Sequence, residues 1–196
     1  YFLQDTRSYE QMMMDLMMGD YVAADLLMIA EELMEFNGYA HDPERLYIYA
    51  EEQAADSQDF TQLVRWILHF KPEDSAKIEG YLTAAEELAG SYDELMLLAD
   101  LFLETDNEQK ATAMLEKASG YISSCEEALE SAGRWFVWGK KKKIREMLLK
   151  AESLAQTAVD FRETAMEWLS LCNDGESSER CVARAIELGW QEHSLS

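Results

Sequence analysis

Carboxylates dominate the side chains able to do chemistry, with 39 Asp and Glu against only three His and three Cys. His41, His69 and His193 lie far apart and form no HExxH or other close ligand spacing, so they do not predict a metal centre. No glycines stand at the intervals of a phosphate loop or a GxSxG elbow. Asn173-Asp174-Gly175 looks like a fragment of a calcium loop, but Ser170 and Cys172 occupy neighbouring ligand places and Cys181 stands where a bidentate Glu belongs. Cys172 and Cys181 flank one turn and could approach across it. Without CxxC spacing, the three cysteines predict neither a disulfide framework nor zinc, and a reduced pair acting as small apolar residues is expected. Carboxylate pairs such as Asp100 and Glu104 fall one helical turn apart, as solvated helix faces also do. These patterns predict no catalytic residue, metal or cofactor, and no enzyme.

The 39 acids outnumber 17 bases, for a net charge of −22. Such a surface repels phosphate backbones and anionic membranes, which disfavours nucleic-acid and lipid partners. At 48% hydrophobic the chain has material for a core, and 9 Gly with 2 Pro are few for an all-β fold of many tight turns. No apolar run reaches the roughly 18 residues of a membrane span. A soluble protein of a reducing compartment, cytoplasmic by default, is expected. The start at Tyr1 rather than Met fits a processed chain or an excised piece whose signal could be missing.

The elements that must position these residues show themselves through a repeat. Small residues recur at Ala30, Val64, Ala99, Ala132 and Ala165, and again at Ala50, Ala85, Ala118, Ala151 and Ala185, with steps near 33. Three places after the first marker stand Leu33, Ile67, Phe102, Trp135 and Trp168; three before the second stand Tyr47, Leu82, Leu115, Leu148 and Val182. Apolar residues at i, i+3 and i+4 predict two amphipathic helices per repeat, with small residues allowing close approach and large ones filling the seam. Asp42-Pro43-Glu44 and Lys71-Pro72-Glu73-Asp74 read as helix starts with proline in the first turn, while Asp106-Asn107 and Asn173-Asp174-Gly175 punctuate later repeats. The expected organisation is an N-terminal Met-rich helix over 1–20, five helix hairpins over 21–190 and a tail over 191–196. Met12, Met13, Met14, Met17 and Met18 suit that helix for packing on the first repeat.

Leu95, Leu98, Ala99, Phe102, Ala111, Leu115 and Ala118 together resemble the tetratricopeptide repeat in order and spacing, and Ala128, Ala132, Trp135, Ile144, Leu148 and Ala151 repeat the pattern. The family's early tryptophan, its glycine at the first marker and its closing proline are absent. Sel1-like and HEAT-like two-helix repeats remain open as alternatives. The resemblance spans roughly residues 22 to 190. It implies an all-α, right-handed α-α superhelix whose first helices line a concave binding surface.

One turn beyond the first marker stand Met34, Leu68, Leu103, Phe136 and Leu169. This stripe either seals neighbouring first helices or floors an apolar groove. Around it lie Glu31, Glu35, Asp100, Glu104, Glu130 and Glu163, with Arg65 and Arg162 as the main positive exceptions. The expected function is a protein-interaction scaffold that takes a basic or amphipathic partner segment. The basic clamp with which some family members hold a partner's C-terminal carboxylate has no counterpart in this acidic set. A second expected feature is a basic loop at Lys140, Lys141, Lys142 and Lys143, either paired with neighbouring acids or offered to an acidic or phosphorylated partner. A structural spacer or self-assembling array, and an enzyme with a carboxylate-lined helical cavity, are the alternatives.

Overall fold

The computed structural model describes Gly19 and residues 21–37 and 44–190, with only the helical backbone at 32–37 and at 44. The Met-rich helix expected over 1–20, the start at Asp42-Pro43, the tail over 191–196, His41 and His193 lie outside the described residues, as do the side chains of Leu33, Met34 and Glu35.

Ten α-helices and no strand occur among the described residues: α1 (Ala23–Asn37), α2 (Glu44–Gln53), α3 (Ser57–Phe70), α4 (Ser75–Leu88), α5 (Tyr92–Glu104), α6 (Glu108–Ala118), α7 (Cys125–Val137), α8 (Lys141–Leu154), α9 (Ala158–Cys172) and α10 (Gly175–Glu187). They alternate as first and second helices of successive hairpins. The chain divides into two compact units, Tyr1–Met114 and Leu115–Ser196, with the boundary inside α6. In the first unit α1 packs on α2 and α3 on α4, while α3 also meets α1, α2 and α5, and α5 meets α4. In the second, α7 packs on α8 and α9 on α10, and α9 also meets both α7 and α8. The α1–α2 and α3–α4 hairpins of the first unit and the α7–α8 and α9–α10 hairpins of the second therefore each bury one stripe internally and a second against the other hairpin of their unit.

The spacing of small residues explains this packing. All ten marker residues are at most 2% exposed, so every one sits where a longer side chain would hold helices apart. Ile67, Phe102, Trp135 and Trp168 are buried beside the first marker, and Tyr47, Leu82, Leu115 and Leu148 beside the second; Val182 is half-buried.

Capping adds a second periodicity. Ser91, Ser124 and Thr157, at 33-residue steps, each accept from the backbone N–H three places on, while Glu94, Glu127 and Asp160 reach back to the N-cap N–H. Asp56 and Asp59 form the same reciprocal box on α3. Among second helices, Asp74, Asn107 and Asp174 cap through their side chains onto Lys77, Lys110 and Ser177. The proline at Lys71-Pro72-Glu73 thus lies in the turn before α4, not in its first turn as the sequence suggested, because Asp74 takes the N-cap and the helix begins at Ser75.

Lys140 occupies the corresponding N-cap of α8 and makes no side-chain cap. Its φ −85°, ψ 69° nearly repeat the φ −84°, ψ 61° of Asp74, so the backbone already suits an aspartate. Lys140→Asp is expected to stabilise the protein by about 1 kcal/mol, supplying an acceptor and removing a cation from the positive end of a helix. Urea melts of Lys140→Asp, Lys140→Gln and wild type test this; an aspartate variant no more stable than the glutamine variant contradicts it.

Candidate binding face

Four basic residues on the second helices pair with a glutamate of the preceding second helix. Lys77 on α4 reaches Glu51 on α2 at 3.1 Å, and Lys110 on α6 reaches Glu86 on α4 at 3.0 Å. Within the second unit Lys143 on α8 reaches Glu116 at 3.5 Å, and Arg180 on α10 holds Glu152 on α8 through two bonds of 2.7 and 2.8 Å. Three of these cations recur at 33-residue steps and lie over aromatic rings: Lys77 over Tyr47, Lys110 over Phe102 and Lys143 over Trp135, at 5.0, 5.0 and 5.7 Å from the ring centres. Each partly exposed pair contributes about 0–1 kcal/mol, so the larger consequence is where positive charge is placed. The Arg180 guanidinium holds the Glu152 carboxyl below its ordinary value.

Of the run Lys140, Lys141, Lys142 and Lys143, expected as a loop, all but Lys140 are helical, and Lys142 and Lys143 lie beside neighbouring acids. Lys141 to Lys143 form the first turn of α8, and the half-buried Lys143 turns inward onto Trp135 and Glu116, as the length and apolar stem of lysine allow. Lys142 is largely exposed and lies 3.9 Å from Glu146. The run does not present four equivalent cations to solvent.

The first helices carry the other candidate residues. Phe136 and Leu169 are 49% and 53% exposed in the second unit, and Leu103 is exposed and Leu68 half-buried in the first. The stripe is therefore not sealed at Phe136 and Leu169, where α7 and α9 pack together. Glu31 and Glu104 are exposed, and Asp100 is half-buried on α5. Arg65 is exposed on α3.

Between α7 and α9 lies a furrow of about 340 Å³, lined by Glu126, Leu129, Glu130, Glu163, Met166 and Glu167. It brings together the expected Glu130 and Glu163 and adds two apolar residues and two further carboxylates. Glu126 and Glu130 are one turn apart on α7, as are Glu163 and Glu167 on α9, so each wall carries a carboxylate pair. Arg134 lies 3.8 Å from Glu130 and Arg162 3.4 Å from Glu163, while Ser170 donates to Glu167 at 2.9 Å. No basic side chain lines the furrow itself. Residue spacing could have revealed Glu126 and Glu167 through their i, i+4 glutamate partners. Leu129 and Met166 were hidden because they fall three before and one after the marker, outside the stripe of one register.

A larger depression of about 550 Å³ lies in the first unit, where α3 and α5 end and α4 and α6 begin. It joins Leu68 and Glu104 to Ile78, Phe102, Asp106 and Lys110, but Lys110 is engaged with Glu86 and the Phe102 ring. Leu103, Phe136 and Leu169 line neither depression.

Several of the remaining polar groups have structural partners. Tyr47 and Tyr81 hydroxyls lie 2.7 Å apart, Tyr81 donates to Glu51, and Tyr47 stacks on Trp66 at 4.5 Å. Burial, followed by the Glu51 hydrogen bond, pushes the Tyr81 phenol far above its ordinary range, so it remains protonated at neutral pH. Cys125, Cys172 and Cys181 are free thiols, and burial pushes Cys181 up to about 11, which suppresses the nucleophilic thiolate. Asp174 caps α10 and receives Arg145 at 2.8 Å, so the resemblance to a calcium loop has a local structural account. His69 is exposed and packs edgewise on Phe70. Among the described residues no group of three or more His, Cys, Asp or Glu is placed to hold a metal ion, and no helix is long and apolar enough to cross a membrane.

The capping carboxylates give the fold a pH dependence. Backbone N–H groups of Ser123 and Ser124 hold Glu127 below its ordinary pKa, and those of Gln156 and Thr157 do the same for Asp160. Because the folded pKa values are lowered, this stabilisation is complete above the unfolded carboxylate range, about 4, and is lost as pH falls through the folded values. A Glu127→Gln, Asp160→Asn variant is expected to lose less melting temperature than wild type between about pH 5 and pH 3. Parallel slopes over that window contradict the assignment.

No family model matches the chain, and no curated protein matches it significantly.

Proposed function

We propose that the protein is an interaction scaffold of tetratricopeptide-type hairpins, wound right-handed within each unit, and that the face of its first helices takes a segment of a partner protein. The observation carrying this reading is the coexistence, on α7 and α9, of exposed Phe136, Leu169 and Met166 with glutamate-lined walls. Four second-helix cations are engaged by glutamates of the preceding second helix, while on α7 and α9 exposed apolar residues stand beside four glutamates. Concave first-helix lining and right-handed winding follow from the family resemblance alone, while the buried markers and recurrent caps support the hairpin repeat itself.

Phe136→Asp tests the face. The substitution is expected to weaken capture of partners from a host lysate by about tenfold or more while costing at most about 2 kcal/mol of stability, because Phe136 is half exposed and the main costs are the lost ring contact and an acid at the C-terminal end of α7. Loss should be greatest near 50 mM salt and partners should wash off near 300 mM, where charges are more strongly screened. Cooperative unfolding of the variant, or undiminished capture, overturns the assignment of Phe136 to a binding face.

A further inference from the structure

We propose that the α7–α9 furrow seats a basic amphipathic helix of a partner, with its apolar stripe on Leu129 and Met166 and its lysines or arginines over the two glutamate pairs. This inference rests on the reading of the first helices as a docking face and specifies what docks there. The floor is apolar and accessible: Leu129 is half-buried and Met166 is 62% exposed. Methionine is unbranched and polarizable, so it adapts to an incoming apolar side chain without requiring one fixed shape.

Charge selects the sign of the partner. Four glutamates line the furrow, and the two nearby arginines lie beside Glu130 and Glu163 outside the lining. With a chain charge of −22 behind them, an acidic segment is repelled and a basic one drawn in.

Geometry selects a helix. Residues four apart on a helix rise about 6 Å, the axial spacing of Glu126 to Glu130 and of Glu163 to Glu167, so successive bases one turn apart match successive acids. Both walls are helical and offer no strand edge, so an extended segment would gain no main-chain ladder from them. A helix arrives with its backbone already paired and needs to insert only side chains. A furrow of about 340 Å³ accommodates side chains more readily than a whole segment.

The test uses the full chain and three fluorescent peptides of about 18 residues, a length of several helical turns: an amphipathic Leu/Lys helix, the same helix with Glu for Lys, and a scrambled Leu/Lys sequence. The amphipathic basic helix is expected to bind with 1:1 stoichiometry, at least about tenfold tighter than either comparison peptide. Glu163→Gln, Glu167→Gln should reduce its affinity about tenfold at 50 mM salt and much less at 500 mM. Glu87→Lys, Glu179→Lys, which changes more charge on second helices, should alter it by less than about threefold. Circular dichroism confirms that each variant is folded. Equal binding of the scrambled peptide, preference for the acidic helix, or an unchanged affinity in the Glu163→Gln, Glu167→Gln variant overturns the inference. If the peptide results fail while Phe136→Asp still abolishes capture, the docking face stands and its occupant is of another kind; if both fail, the scaffold reading falls with it.

Discussion

Trp135→Ala is expected to destabilise the protein by about 3–5 kcal/mol, a large share of the roughly 5–15 kcal/mol that holds a domain together. Trp135 is 1% exposed on α7, with Lys143 over its ring and Trp138 edge-on at 6.3 Å. Removing the indole deletes the largest side chain at that seam and also withdraws the surface on which Lys143 rests while it reaches Glu116. Both helices of the hairpin lose a fixed contact. Phe136→Ala is the matched control: it removes a neighbouring ring that is half exposed and should cost less than about 1 kcal/mol. Urea denaturation followed by circular dichroism measures both. Similar midpoints for the two variants would show that the α7 core has been assigned to the wrong face.

The opposite change, added volume, tests the small markers. Ala132→Leu is expected to cost about 1–3 kcal/mol, because Ala132 is fully buried on a helix that packs against both α8 and α9. Leucine and alanine both favour helices, so propensity contributes only a few tenths of a kcal/mol. Ala183→Leu on the exposed side of α10 isolates that contribution and should be nearly neutral. An Ala132→Leu variant as stable as Ala183→Leu would remove the reason given for alanine at the markers. The regular recurrence of small residues would then need a different physical cause.

These two substitutions concern the features most legible in the sequence. Marker positions, helix pairs and most seam residues follow from apolar period and side-chain size, which are local properties, and all ten markers are buried. Ser91 with Glu94, Ser124 with Glu127 and Thr157 with Asp160 carry a sequence signal, an N-cap residue followed three places later by an acid, that the helix starts read above did not use. Proline drew attention to the wrong turn residue at α4. The Lys140 run was legible as a partner for neighbouring acids but not as a helix start, nor was the placing of the Lys143 stem on an indole while its ammonium reaches Glu116. The furrow was only half legible. Glu130 and Glu163 could be placed on first helices, but the inclusion of Leu129 and Met166 depends on how α7 and α9 are set against each other, which no single helix period encodes.

Site-directed photocrosslinking is the most direct test of the binding face. A benzophenone amino acid at position 166, on first helix α9, is compared with one at position 149, on second helix α8; the native Met166 and Leu149 are 62% and 54% exposed, so accessibility is matched. In host lysate the account predicts a discrete covalent adduct from position 166, suppressed by the basic amphipathic peptide, and none from position 149. An adduct from position 149 alone, or adducts from both that the peptide leaves unchanged, would contradict the claim that the first helices form the docking face.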